Sequence, residues 1–339
     1  MTELPNTATL KLPSSFDPAV DARQINQIMS QKGAGPEDVI PIIVPRTINM
    51  RTQIMLVYNQ LFNKDIISDI TNGKSSELED LLYVMFHGPI NATAKEMAKK
   101  YKQEDVDDFL CLLKNSELQD FRKAYDTYIR SEKKPKQLEE LINDNTKGCH
   151  TKLITSLIDG KKEELPVDEV MAYYQENKSI AGLVDTNLVC SDAKALHDAV
   201  EKKNVNEDVF TSIICARNDL HLKCVYHAFK SAYNVSLVDY IDKHVSKNLK
   251  NTLNSLVMKA TDERLLVTAQ LYNSMKGLGT KEKSLGRIIA TRAENDLEVL
   301  KFLYEERVGK SLAETVNSET SGDFKTYIMC LLNVPMKTK

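Results

Sequence analysis

The sequence is poor in structure breakers. Only 12 glycines and 10 prolines occur among 339 residues, which leaves room for many helices and argues against a strand-and-turn protein. Long apolar runs are missing as well. The sharpest, Val39 to Val44, is short and interrupted by Pro41, whereas a membrane span needs roughly 18 consecutive apolar residues. The stretch from Met1 to Pro18 is polar and contains proline, so it lacks the apolar core of a secretory signal. Cysteine is sparse and unpaired by spacing: Cys111, Cys149, Cys190, Cys215, Cys224 and Cys330 stand apart with no CxxC. That pattern reads as free thiols in a reducing compartment, and the chain as cytoplasmic. There is no P-loop, no GxSxG elbow and no HExxH, so no enzyme class is indicated. Neither charge dominates. The 45 basic and 48 acidic residues give a net charge of −3, and no basic stripe for nucleic acid is evident. A slightly acidic chain that binds an acidic membrane needs something to bridge the like charges.

What is present is a globular composition, 42% apolar and 27% charged, rich in the residues of α-helices. A unit then recurs along the chain. Its clearest copy is the last. Leu265, Leu266, Ala269 and Tyr272 give a helical stripe that stops at Gly277. Thr280 stands where it can cap a second helix carrying Leu285, Ile288 and Ile289. After a polar break at Ala293-Glu294-Asn295 come Leu297, Leu300, Leu303 and Tyr304, spaced for a third helix. Ser311 can cap a short fourth, and a fifth begins near Ser321 with Phe324, Tyr327, Ile328 and Leu331. Earlier segments echo this order, from Ile25 to Leu82, more weakly from Ala92 to Ile158, and again from Ala195 to Val257. An arginine recurs after the second helix, at Arg46, Arg217 and Arg292, with Lys114 in its place in the second copy. A cation there suits a helix C-terminus or a bridge to a neighbouring helix. The charged stretch from Asp159 to about Asp185 reads as a connector.

Met275-Lys276-Gly277-Leu278-Gly279-Thr280, then Arg292, then Thr320-Ser321-Gly322-Asp323-Phe324-Lys325, together resemble an annexin repeat, whose M-K-G-x-G-T pattern is met in full. The resemblance runs from about Asp17 to Pro335. It implies an all-α fold of four annexin repeats of five helices each, forming a curved disc. The loops joining helices one to two and four to five would face the membrane. The unequal decay of the copies is similar to divergent protist annexins of the alpha-giardin type. The expected layout is an N-terminal tail (1–16), repeat 1 (17–88), repeat 2 (89–160), a connector (161–185), repeat 3 (186–260) and repeat 4 (261–339).

The resemblance also implies Ca2+. Calcium takes six to eight oxygens and accepts backbone carbonyls, a bidentate carboxylate and water, and glycines let a loop aim successive carbonyls at one point. In repeat 4 the expected ligands are the carbonyls of Met275, Gly277 and Gly279, with the carboxylate of Glu319 placed by family spacing. With so little negative charge such a site is weak alone, roughly micromolar to millimolar, and a lipid phosphate completes it. Repeat 1 offers a weaker set, Gln31, Gly33 and Gly35. There Pro36 replaces the threonine, and Gly73 falls where the acid is expected, with Glu77 as a substitute only if the loop rearranges. Repeats 2 (Tyr101 to Asp105) and 3 (Lys202 to Asn206) lack the glycines, and His244 stands in the acid's place in repeat 3. No conventional site is expected in either, although another geometry stays open. The segment Asn143 to Gly148 superficially resembles an EF-hand loop, but Ile154 occupies its final, glutamate position.

The expected function is calcium-dependent binding to acidic phospholipid membranes, without catalysis and without nucleic acid. The alternative is a cytoskeleton-associated scaffold, flagellar among other places, with residual calcium binding and a cytoskeletal protein as partner. A zinc set of His221, Cys224 and His227, on one side of a helix, competes with plain packing of those residues.

Overall fold

The computed structural model describes residues 6–73, 76–132, 135–175, 180–201, 204–277 and 279–334. Helices α1 (Pro18–Met29), α2 (Ile40–Ile43), α3 (Ile48–Phe62), α4 (Ile66–Ile70) and the first half of α5 (Glu77–Lys99) make the first group of five. A 3-10 turn, Pro36–Val39, leads into the short α2. Pro36 and Pro41 explain this curtailed second helix, because each lacks an amide donor. The second half of α5 opens the next group, joined by α6 (Gln103–Leu110), α7 (Asn115–Ile129), α8 (Leu138–Asn145) and α9 (Cys149–Ile158). The connector carries α10 (Val167–Gln175) and a 3-10 turn at Ile180–Leu183. The third group is α11 (Thr186–Asp198), α12 (Glu207–Ala216), α13 (Asp219–Tyr233), α14 (Leu237–His244) and the first part of α15 (Lys247–Met275). The rest of α15 joins α16 (Glu282–Arg292), α17 (Leu297–Val308), α18 (Leu312–Glu319) and α19 (Gly322–Leu331) in the fourth.

Two joints divide the long helices. In α5 the joint is Gly88, with φ 82° and ψ 163°. Pro89 pushes its predecessor out of the helical region, and only glycine reaches that positive φ without strain. In α15 the joint is Asp262, at φ −158° and ψ 98°. Its carboxylate accepts from the amides of Arg264 (3.0 Å) and Leu265 (3.2 Å), so it caps the second part of that helix.

The chain forms two compact units, one of Met1–Ala92 with Val267–Lys339 and one of Thr93–Leu266. In the first, Ile25, Ile43, Ile54, Tyr58, Phe86, Leu285, Ile289, Leu300, Tyr304 and Tyr327 are fully buried. The phenol of Tyr327 donates to the carbonyl of Pro36 (2.7 Å), joining the fourth group to the first. The N-terminal segment packs here too. Thr9 donates to the carbonyl of Leu331 (2.6 Å), and the amide of Leu10 to that of Ala293 (3.1 Å). In the second unit Val106, Phe121, Tyr125, Leu153, Phe210, Ile214, Val225, Phe229 and Val257 form the core.

The recurring cations bridge helices. Arg46 makes a two-pronged pair with Asp21 of α1 at 2.6 and 2.9 Å, both residues buried. Arg217 repeats this with Asp192 of α11 at 2.7 and 3.3 Å. Both acids lie 25 residues upstream of their arginine. In the fourth group that position is Val267, and Arg292 pairs instead with Asp296 at 3.0 Å. Lys114 precedes α7, where its amide donates to Glu117 (2.8 Å).

One expectation needs correction. Thr280 does not cap α16: Lys281 is the residue before that helix, and no side chain caps it. The Thr280 hydroxyl bonds instead to the end of α18. In the third group, the loop between helices one and two contains a minimal antiparallel hairpin, Val200–Glu201 against Asn204–Val205. Lys202 and Lys203 between these strands lie outside the described residues.

Candidate calcium and membrane site

In the fourth group the first loop leaves α15 after the buried Met275 and returns at Lys281, whose amide donates to the carbonyl of Ser274 (2.7 Å). This bond closes the base of the loop. Gly277 and Gly279 both hold positive φ, 106° and 85°. A Cβ at either would meet nothing within 4 Å, so glycine serves the backbone conformation there, not a close contact. Both are exposed, as is Lys276, whose ammonium lies 5.3 Å from the ring centre of Tyr272. Leu278 lies outside the described residues.

Glu319 ends α18, exposed to solvent. The Thr280 hydroxyl donates to the Glu319 backbone carbonyl at 2.8 Å. This bond joins the two loops of the repeat. The hydroxyl of Thr320 donates back to Val316 (2.6 Å), and the Lys325 ammonium to the carbonyl of Asn317 (2.7 Å), which finish the α18 C-terminus. Carbonyl and carboxylate oxygens are hard donors, the kind that calcium takes in preference to a softer metal. Among the described residues, no three His, Cys, Asp or Glu side chains gather as a metal cluster.

The first group differs. Gly33 has φ 88°, comparable to Gly277, but Gly35 is extended at φ −124° and ψ 171° where Gly279 is left-handed. The Gly35 amide donates to Asp38 (2.8 Å), and a Cβ there would lie 2.6 Å from the Glu37 carboxylate. Gln31 is exposed and its carbonyl accepts from Ala34 (3.2 Å). Gly73 closes onto Ser68 (2.8 Å), and Glu77 is exposed in the first turn of α5. In the third group the ring of His244 packs 4.6 Å from Tyr240. Burial, then the neighbouring Lys243, lowers its pKa. The three zinc candidates are not brought together. His221 is buried on Asp192 (2.9 Å) while His227 is exposed.

The family is shown by comparison with known proteins. A family model described as Annexin matches residues 20–85, 191–256 and 267–331, more than half of the chain. The chain belongs to the annexin family. Annexin A13 of Schistosoma japonicum is 28% identical over 333 residues, covering 96% of this chain and 94% of the relative. The structure of calcium-bound annexin (Sm)1 aligns with a TM-score of 0.81 at 26% identity, over 96% of this chain and 93% of that one. Alpha-14 giardin aligns at a TM-score of 0.73 but only 16% identity, over 94% of this chain and 100% of that one, a likeness of fold alone. The all-helical annexin fold of four five-helix repeats is thus established. Annexins are non-enzymatic membrane-binding proteins, and membership implies calcium-dependent phospholipid binding. Among the described residues, no helix is long and apolar enough to cross a membrane.

Proposed function

We propose that this annexin attaches to acidic phospholipid surfaces mainly through its fourth repeat. The carbonyls of Met275, Gly277 and Gly279 and the carboxylate of Glu319 would hold calcium there. The observation that carries this reading is the 2.8 Å bond from Thr280 to the Glu319 carbonyl, which joins the glycine loop to the residue bearing the acid. Calcium held there would link these oxygens to a lipid phosphate, supplying the bridge that a chain of net charge −3 needs. The remainder belongs to the protein. The two glycines expose main chain to solvent, the Lys281–Ser274 bond fixes the loop's base, and Glu319 provides the only formal charge.

Gln31, Gly33 and Gly35 form a second, weaker site in this reading, because the extended Gly35 does not reproduce the conformation of Gly279. We place the repeats at 17–88, 89–160, 186–260 and 261–339, with a tail before and a connector at 161–185. The joints at Gly88 and Asp262 support the first and last divisions. The location that fits is the cytoplasmic side of a membrane, held peripherally.

The test is sedimentation with phosphatidylserine vesicles over a calcium titration, for wild type and Glu319→Gln. At about 0.15 M salt, where the Debye length is about 8 Å and bare lysine attraction is screened, the expected result is release of wild type by chelator and a calcium requirement at least about tenfold higher for the variant. An unchanged requirement would remove repeat 4 from the reading. Failure of wild type to sediment with calcium would favour the cytoskeletal scaffold, checked by co-sedimentation with polymerised cytoskeleton.

A further inference from the structure

We propose that repeats 2 and 3 meet an anionic lipid surface directly, through lysines in the loops where calcium ligands are lacking. This rests on the proposed membrane attachment and extends it to the half of the chain that repeats 1 and 4 leave idle. In repeat 2, the passage from α5 to α6 reads Lys99-Lys100-Tyr101-Lys102, and Lys147 stands between α8 and α9. In repeat 3, Lys243 and Lys247 flank the junction of α14 and α15. All six lysines are exposed. None forms an ion pair among the described residues, unlike their neighbours Lys136, Lys152 and Lys250.

Contacts within this unit gather the loops at one end. The Gln103 side chain donates to the carbonyl of Asn248 (3.1 Å), so Lys102 and Lys247 each adjoin a residue of one hydrogen bond. The buried pair His150–Asp107 (2.7 Å) holds the start of α9 against α6, three residues from Lys147. Lys152 pairs with Asp208 (2.6 Å), tying α9 to α12. The Ser246 amide donates to Glu207 (2.8 Å), tying α12 to the junction between Lys243 and Lys247. The starts of α6, α9, α12 and α15 therefore share one rim.

Most acids on that rim are already engaged. Asp208 faces Lys152, Asp242 faces Lys250 at 3.6 Å, Asp144 faces Lys136, and Glu207 receives the Ser246 amide. Glu104 and Asp105, in the first turn of α6, make contacts within the chain. The surplus is positive in a protein whose total is negative. A single-stranded nucleic acid would call for an exposed stacking ring, but Tyr101 turns inward, its phenol donating to Asp107 (2.7 Å). Lysines on short loops, without an exposed ring between them, fit the phosphates of a headgroup layer, whose negative potential attracts each basic residue within about a Debye length.

The test uses the full chain in chelator, at low salt, with phosphatidylserine–phosphatidylcholine vesicles and with phosphatidylcholine vesicles alone. Wild type is compared with a variant carrying Lys→Gln at 99, 100, 102, 147, 243 and 247, whose helical circular dichroism and urea midpoint are checked first. If the six changes together unfold it, the two triple variants of repeat 2 (99, 100, 102) and of the junctions (147, 243, 247) are used. Wild type should bind only the anionic vesicles and lose binding in about 1 M salt, where the Debye length falls to about 3 Å. The variant should bind at least about tenfold more weakly. Absence of chelator-resistant binding by wild type overturns the proposal. So does equal binding by the variant, or displacement from vesicles by a short RNA at lower concentration than by soluble phosphatidylserine. Chelator-resistant binding without any response to calcium would sink the repeat 4 reading and leave this one standing.

Discussion

Arg51 shows how much one side chain carries. It is fully buried, donates from Nε to the carbonyl of Ile43 (2.9 Å) and from Nη2 to that of Val44 (3.0 Å). Those carbonyls belong to the end of α2; that of Val44 also accepts from the Arg46 amide (2.8 Å), and Arg51 is a second donor to it. Its Nη1 lies 3.8 Å from Glu294, close enough for charge attraction but not a hydrogen bond. Burial lowers the Arg51 pKa to about 10 and raises that of Glu294, Arg51 working against the latter shift. Arg51→Met should therefore cost about 3 kcal/mol, read from urea unfolding, since it strands the Ile43 carbonyl and takes the cation from the half-buried Glu294. Asp219 gives a pH-dependent counterpart. Burial pushes its pKa up, but Lys162 and Lys259 outweigh this and the net shift is downward. A lowered carboxylate pKa stabilises the fold above the ordinary Asp range and loses that contribution as pH falls through the folded value. Asp219→Asn should be less stable than wild type at pH 7, by a modest amount because the side chain is 43% exposed. The gap should narrow as pH falls below the ordinary Asp range, and urea midpoints at pH 7 and in acid decide it.

The joints between repeats are the elements with the most local logic. At Gly88 the adjoining Pro89 ends the helix, whereas at Asp262 the residue itself breaks α15 and caps its second part. Asp262→Ala removes the acceptor of two amides and should cost about 1 kcal/mol, while Asp262→Ser should retain most of the stability. Thermal melts of the two variants side by side make the comparison. The same scale explains why two glycine loops of similar sequence differ. In repeat 4 the second helix starts after Lys281, and Gly279 is left-handed. In repeat 1 Pro36 starts a 3-10 turn at once, with Gly35 extended ahead of it and its amide taken by Asp38.

For the whole molecule, all six cysteines are free. Cys111 and Cys215 are buried, and burial raises both thiols, Cys215 to about 12. Cys190 is exposed. A thiol reagent should modify Cys190 first and leave Cys111 and Cys215 untouched in the native protein, with six thiols titrating in denaturant. Mapping the labelled peptides checks the order; early labelling of Cys111 would contradict its burial in the second unit.

Helix content, the four-fold repeat and the glycine loop were legible in the sequence because they depend on local spacing and on breakers: apolar stripes, Ser311 at the head of α18, Gly277 and Gly279. The recurring arginines were legible as cations but not as pairs. Their partners, Asp21 and Asp192, lie 25 residues upstream, and that constant separation was the available signal. Three features were decided only by tertiary structure. Thr280 reads as a helix cap, yet it bonds to Glu319, 39 residues away, because folding places the two loops side by side. The extended Gly35 results from Asp38 accepting its amide. The lysine rim of repeats 2 and 3 comes from separated segments held together by Gln103–Asn248 and Glu207–Ser246. Local sequence sets backbone preference within a few residues, whereas a surface made by chain returning from far away exists only once the chain has folded.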